Sequence, residues 1–452
     1  MSQLGDAITR YHKILESDHM KDLSWVSALQ ARMEAERLWS GGRLLCPFLR
    51  PHFLTHRQYD SLVRTAESLI SAIDRAEKLI LQDPALMANM ELLPAEKMLA
   101  TIDPGYNGLA VAAQLDSHVN NGSLHLVQYN ADSPSGLAWA EGLSDIFYDS
   151  PPVKEFRKRY HLTKIGGKKY LLSALLKAYK QFGGRHKPNI AVLELKTGSH
   201  ASAHSEYEIF CEFFRREGYS TELVSPDQME YKNGVLRKGK FDIHLVYRRI
   251  SVQEFLMRFD LRHPLVAAYR DHAVCVVNSF RSELSHKNSI FDPLTDEDIT
   301  AQFPAAERKA IREHVPWTRL VAATKTKYQG EPVDLLEFVM QNREKLALKP
   351  NDDYTGRGSF FGWEMDQAGW ERALREAMRS PYVVQEKVDP VRTVFPLVSY
   401  GHLEFREMRV DVHPQAYLGR VLGCSSWLSP SHPGGFSSAS GLVPTFVLEA
   451  KS

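Results

Sequence analysis

In the stretch KLALKPNDDYTGRGSFFGWE (345–364) a lysine closes an apolar run, and glycines follow a polar turn. Lys349 can set a point charge against an anion such as phosphate. Gly356 and Gly358, which flank Arg357, carry no Cβ to keep backbone N–H groups away from that anion. No Gly-Lys-Ser/Thr opens a helix here, so this is not a P-loop. An ordinary hairpin with a polar tip fits the same residues. A second group lies upstream, where Gln114 and Asp116 alternate along one run and Gln128 and Asn130 along the next. Period-two geometry puts each pair on one strand face, and the Asn120-Asn121-Gly122 turn between them is a strong hairpin signal. Oxygen donors so arranged suit magnesium, which takes one or two carboxylates plus substrate phosphates. A solvated sheet face suits them as well. Lys287 sits in a Ser-His-Lys-Asn turn, and Gln385, Glu386 and Lys387 end the apolar run PYVVQEKV. An amide at a strand end with a free backbone edge matches adenine, whose N6 donates and N7 accepts, and a plain solvated strand end fits the same residues.

The elements that must hold these residues follow from periodicity. Residues 1–100 read as mostly helical, and 58–82 places Leu62, Leu69, Ile73, Ala76, Leu79 and Ile80 on one face of a long helix. Residues 138–185 read as helical too. From 188 to 250, NIAVLELK, the helix SEYEIFCEFFRREG and the strand STELVSP give a strand–helix–strand unit, then an Asn-Gly hairpin and FDIHLVYRRI. This spacing predicts a small Rossmann-like parallel sheet. It lacks G-x-G-x-x-G, so no dinucleotide site is assigned. Its first turn, with Thr197, Gly198, Ser199, His200 and Ser202, is a candidate substrate contact or a simple helix cap. The tail alternates in strand fashion around Arg409, Asp411 and His413, and the Ser/Gly/Pro stretch 425–441 suits a loop over a site.

With 452 residues, two to three domains are expected. Lys plus Arg is 56 against 55 for Asp plus Glu, a balance that argues against nucleic acid as partner. Four widely spaced cysteines with no CxxC pair suit buried thiols of a cytoplasmic protein. The acidic N-terminus has no apolar signal region, and no run is long enough to span a membrane.

Five motifs then fall in one order. The chain resembles the circularly permuted ATP-grasp ligases, the group that includes glutathionylspermidine synthetase. QYNADSPSG resembles the family's E-Y-N-A-D-S/T motif, and QLD at 114–116 sits where the family has R-x-D. HKNSIF resembles its N-K-A-I-L turn, LALKPNDDYTGRG its K-P-x-x-G-x-x-G loop, and YVVQEKV its Y-V-x-Q-E hinge. The resemblance covers roughly 100–452 and implies an α/β fold of ATP-grasp subdomains in permuted order. After the N-terminal helical region (1–100) read from periodicity, it implies a first ATP-grasp part with metal-binding strands (101–185), an inserted pre-ATP-grasp domain (186–280) and the remaining ATP-grasp domain (281–452). It implies that Lys287 and Lys349 contact ATP phosphates under a loop of Gly356, Arg357 and Gly358, with Gln385, Glu386 and Lys387 beside adenine. Asp116, Gln128 and Asn130 would hold Mg2+. Ser133 and Ser135 would lie near a carboxylate substrate, and Gln114 takes the place of the family's catalytic arginine. The expected activity is ligation of a small-molecule or peptide carboxylate to an amine. Because Gln114 and Gln128 replace an arginine and a glutamate, a nucleotide-binding pseudoenzyme acting through a protein partner is the alternative.

Overall fold

The computed structural model describes residues 3–108, 110–120, 122–195, 204–352, 358–430 and 440–451. The chain begins a large mixed sheet, leaves it for two excursions that each build a four-stranded sheet, and returns to complete it. Strand β1 (His52–Thr55) leads directly into helix α1 (His56–Gln82), capped by a Thr55/Gln58 capping box. The predicted apolar face of α1 is buried against the large sheet, and one carboxylate, Glu77, is buried with it. A short helix α2 (Pro94–Thr101) follows. Then β2 (Ala112–Asn120) and β3 (Ser123–Asn130) form the predicted hairpin. The helices expected over 138–185 are present, but Tyr160–Lys164 between them is a strand, β4.

The first excursion is a parallel sheet of four strands: β5 (Ile190–Leu193), β6 (Thr221–Val224), β7 (Leu245–Arg248) and β8 (Cys275–Val277), in the order β8-β7-β5-β6. Helix α3 (His204–Arg216) connects β5 to β6. β5 and β8 are apolar throughout, because helices cover a parallel sheet on both faces, while β6 carries Glu222 and β7 ends in Arg248. The second excursion is antiparallel: β9 (Thr318–Leu320), β10 (Leu346–Pro350), β11 (Phe360–Phe361) and β12 (Tyr382–Glu386), in the order β9-β12-β10-β11. Its own apolar core packs Leu346, Leu348 and Val384 against Trp370. Finally β13 (Arg392–Ser399), β14 (His402–Tyr417), β15 (Arg420–Pro430) and β16 (Gly441–Ala450) join β1–β4 in the eight-stranded sheet. Its order is β1-β16-β15-β14-β2-β3, with β13 also on β14 and β4 also on β16.

Two expectations change. Strand β12 is central in its sheet, paired with β9 and β10, so the free edge expected near Gln385 is absent. The adjacent buried valines Val383 and Val384 suit such an interior position. Residues 425–430 belong to β15 rather than to a loop, because their backbone pairs with β14, and that of 425–428 with β16 as well. The four cysteines are buried and unbridged, as expected.

A buried polar junction joins the parallel sheet to the β2–β3 hairpin. Asn278 accepts from the N–H groups of Val111 and Ala112 at 2.9 and 3.0 Å. Arg248, 1% exposed, forms an ion pair with Asp132 at the end of the hairpin and donates to the carbonyls of Asn278, Ile250 and Ser279. Removing one member of a buried pair leaves the other uncompensated. Arg248→Met is expected to lower unfolding free energy by about 3–5 kcal/mol. Urea denaturation measures this, and a loss under about 1 kcal/mol, the scale of exposed pairs, would show that the junction does not hold the sheets together.

Candidate functional site

The register of the hairpin sets Gln114 opposite Asn130 and Asp116 opposite Gln128. The polar residues singled out by alternation therefore share one face. Between Asp116 and Ser117 the register slips, because Ser117 pairs with Leu126 and leaves Val127 as an extra residue. Such a bulge frees a carbonyl from the ladder. The Val127 carbonyl accepts a hydrogen bond from Lys349 Nζ at 3.3 Å. Lys349 also donates to Gln385 Oε1 at 2.7 Å, and Gln385 Nε2 donates to the Thr318 hydroxyl at 3.1 Å. The lysine thus stands where the small antiparallel sheet meets the large one.

Strand β14 brings residues to this face that sequence spacing did not connect to it. His413 Nδ1 lies 2.7 Å from Asp116 Oδ1, the same oxygen that accepts from Gln114 Nε2 at 2.9 Å. His118 Nδ1 lies 2.6 Å from Asp411 Oδ1. Burial works against a charged His413, but Asp116 outweighs it and holds the imidazole above its ordinary value. Burial likewise opposes an ionised Asp411, yet His118 holds that carboxyl below the usual range. The alternation of Asp411 and His413 was visible in sequence; their partners on β2 were not.

Gln114 Oε1 and Asn130 Oδ1 are buried without hydrogen-bond partners. They stand opposite each other on paired strands, two residues along from Asp116. Orphaned hard oxygens beside one carboxylate fit a magnesium ion that keeps waters and binds substrate phosphates. Ser133 is 2% exposed and its hydroxyl also lacks a partner, whereas Ser135 is exposed. Their loop is fixed from the parallel-sheet side, where Arg249 donates to the Pro134 carbonyl and Glu206 accepts from the N–H groups of Gly136 and Ala138.

Lys287 is 3% exposed and lies inside three carboxylates: Asp352 at 2.6 Å, Glu283 at 2.9 Å and Glu96 at 3.1 Å. Burial disfavours its charge, but Glu283, Asp352 and Glu96 outweigh this and raise its pKa. Burial also drives the Glu283 carboxyl up, with Lys287 opposing and Asp352 adding to the rise. The next residues clasp the start of the glycine loop. The N–H groups of Asn288 and Ser289 donate to Asn351 O and Oδ1, both at 2.8 Å, and Asn351 Nδ2 donates to the Met90 carbonyl at 2.9 Å. Glu96 carried no signal in sequence, because it lies almost 200 positions from Lys287, whereas Glu283 stands at the i,i+4 spacing that pairs Glu with Lys and could have been read.

Gly358 has φ +85° and its carbonyl accepts from the Tyr382 hydroxyl at 3.0 Å. Positive φ there favours glycine. Gly356 and Arg357 lie outside the described residues, as do the turn with Thr197, Gly198, Ser199, His200 and Ser202 and the stretch 431–439. Glu386 accepts from the Tyr328 hydroxyl at 2.8 Å, and Lys387 pairs with Asp389 at 2.9 Å. The N–H groups of Glu386 and Lys387 donate to the carbonyls of Trp317 and Lys345. Beside Glu386 lies a cavity of about 450 Å3 walled by Trp317, Gln329, Arg308 and Arg312.

No protein-family profile matches the chain. No curated protein matches it by sequence. Among solved structures it is similar to a glutathione synthetase-like effector, GSS30, from Globodera pallida in its apo form, with a TM-score of 0.60 and 13% identity over 94% of this chain and 96% of that one. A more distant match is a putative gamma-glutamylcysteine synthetase from Methylobacillus flagellatus, with a TM-score of 0.42 and 11% identity over 85% and 86% of the two chains. The chain therefore has the mixed α/β fold of glutathione synthetase-like proteins.

The clasp on the glycine loop makes a local prediction. Asp352→Asn removes the shortest contact to Lys287. The amides of Asn288 and Ser289 are then expected to exchange hydrogen at least about tenfold faster, an opening cost lowered by about 1.4 kcal/mol. Unchanged exchange would show that Asn351 alone secures the loop base.

Proposed function

We propose that the chain is an ATP-dependent carboxylate–amine ligase of the circularly permuted ATP-grasp kind. The observation that carries this is Lys349, fixed between Gln385 and the bulged Val127 carbonyl, facing the sheet that bears Asp116 and the orphaned oxygens of Gln114 and Asn130. A cation at the junction of two sheets, next to hard oxygen donors, suits a polyphosphate with its metal.

In the proposed reaction a carboxylate oxygen attacks the γ-phosphorus of ATP. The bond to the bridging oxygen breaks, releasing ADP and leaving an acyl phosphate. An amine then displaces inorganic phosphate, loses a proton and leaves an amide. Phosphoryl transfer needs positioning and charge stabilisation more than covalent help from the protein. Lys349 would meet the phosphates, together with Gly356, Arg357 and Gly358. Lys287, in the form seen here, anchors the loop through Asp352 and reaches a phosphate only when that cage opens. Gln385, Glu386 and Lys387 would flank the adenine. Ser133, whose hydroxyl is unpartnered, and Ser135 would receive the carboxylate substrate. Asp116, Gln128 and Asn130 would hold magnesium, which neutralises phosphate charge when bound.

A second reading is favoured by one feature of the same face. Asp116, the carboxylate of that metal set, is paired with His413, and neutral Gln114 and Gln128 stand beside it. Such a site fits a protein that binds nucleotide without turnover and acts through a protein partner.

The test is ADP and phosphate release from ATP and magnesium, screened over amines and carboxylates. Release that requires both substrates is the ligase result. ATP binding with no release under any pair is the second reading, and no ATP binding contradicts both. Lys349→Ala is expected to weaken ATP binding at least about tenfold, since a charged contact contributes about 1.5–3 kcal/mol. Unchanged affinity in calorimetric titration of the folded variant would remove the lysine from the site. In magnesium titrations of ATP binding, Asp116→Asn should raise the half-saturating concentration and Gln128→Glu should lower it. An Asp116→Asn variant with unaltered magnesium dependence would overturn the metal assignment.

A further inference from the structure

Three histidines meet near the turn of the β2–β3 hairpin, and the proposed reaction uses none of them. His118 of β2 and His125 of β3 stand directly opposite each other in the register. Opposed positions of an antiparallel pair hold their Cβ atoms about 4.5–5.5 Å apart on one face of the sheet. The third histidine comes from outside the sheet. His314 is the last residue of helix α4 (Ala305–His314), which packs on α1 and on β3. Glu307 ties that helix to α1, accepting from Ser71 Oγ at 2.8 Å and from Arg75 Nε at 2.9 Å. The His314 ring is thereby set 6.2 Å from the ring of His125, centre to centre.

Two of the rings are already held as metal-binding imidazoles are. His118 Nδ1 donates to Asp411 Oδ1 at 2.6 Å. His314 Nδ1 donates to the Leu124 carbonyl at 2.7 Å, with the Ser123 hydroxyl 3.2 Å away. A carboxylate or carbonyl on Nδ1 fixes the tautomer and leaves the Nε2 lone pair for a metal ion. Glu313, exposed and 3.9 Å from His314 Nε2, is too far to hold that nitrogen by a hydrogen bond. Burial, then His314 and His118, push the His125 imidazole below its ordinary value, toward the neutral form that binds metals. All three rings are partly exposed, so an ion can reach them.

We propose that His118, His125 and His314 together bind one divalent transition-metal ion of the zinc type, with water in the fourth position. Imidazole suits zinc, copper and nickel, whereas magnesium takes hard oxygen donors. The site therefore differs in chemistry from Asp116 and its neighbours, although His118 and Asp116 share a sheet face. The rings have yet to close on one point. Among the described residues, the three ligand atoms within 4.8 Å of one another belong to Glu96, Glu283 and Asp352, and the Lys287 ammonium fills that cage. Tetrahedral zinc, with bonds to nitrogen of about 2.0–2.1 Å, draws its ligand atoms to about 3.4 Å from each other. Closure thus requires side-chain rotation, chiefly of His125, while Asp411 and the Leu124 carbonyl stay as outer partners of the other two rings.

The experiment is calorimetric titration of the full chain with zinc chloride, without nucleotide and with millimolar magnesium chloride present. One-to-one zinc binding is expected, undiminished by the magnesium. His125→Ala and His314→Ala should each weaken it at least about tenfold. Asp411→Asn should do the same, since outer partners of metal-bound histidines contribute about 10–100-fold in affinity. Asp116→Asn should leave zinc affinity unchanged. In the unsubstituted chain, the ring nitrogen resonances of His118, His125 and His314 should shift together up to one equivalent of zinc, a readout that does not depend on a variant folding. Absence of one-to-one binding, unchanged affinity in both folded histidine variants, loss of binding on Asp116→Asn, ring resonances that stay in place, or displacement by magnesium would each overturn the proposal. Because nucleotide is absent from the titration, a failure of the ligase reading leaves this outcome unaffected.

Discussion

The buried ammonium of Lys287 ties together segments that lie far apart in the chain. Its three carboxylates come from helix α2, from the short helical turn before the lysine, and from the first residues of the glycine loop. Taking one amine and three carboxyl groups out of water is costly, and it holds only because every contact is short and the Glu283 carboxyl is pushed toward its neutral form. The consequence is positional. With Asp352 fixed, Asn351 is fixed, and Lys349 two residues earlier leaves β10 in a defined direction. The N-terminal helices are thus part of the site's support.

A second constraint acts on the facing sheet. The bulge at Val127 turns one carbonyl toward Lys349 while Gln128 and Asn130 keep their places opposite Asp116 and Gln114. The sheet is therefore irregular where the two sheets meet, as bulges beside functional sites commonly are. His413 of β14 and His118 of β2 complete the face. His413 competes with any cation for Asp116, so the balance between ion pair and metal is set on one oxygen atom. That competition separates the two functional readings more sharply than the glutamine replacements do.

Much of the framework was legible in the chain itself. The apolar stripe of α1, the Asn-Gly hairpin and the strand–helix–strand unit depend on local periodicity, and each appears where periodicity puts it. The facing of Gln114 with Asn130 and of Asp116 with Gln128 followed from period two and the turn. Local patterns do not encode what distant segments supply. Nothing near Lys287 announces Glu96, and nothing near Asp116 announces His413. The bulge has no glycine to mark it, and the apolar run at 381–388 does not say whether its strand lies at an edge or between neighbours. Residues 425–430 misled because serine and proline suggest a loop, while two neighbouring strands supply partners for their backbone.

The proposed nucleotide position is between the small antiparallel sheet and the bulged edge of the large one. A crystal structure of the chain with magnesium and a non-hydrolysable ATP analogue tests this most directly. The account predicts phosphate oxygens within hydrogen-bond distance of Lys349 Nζ, with the metal ion against Asp116. An analogue bound elsewhere, such as the end of the four-stranded parallel sheet, with Lys349 still bonded to Gln385 and Val127, would contradict it.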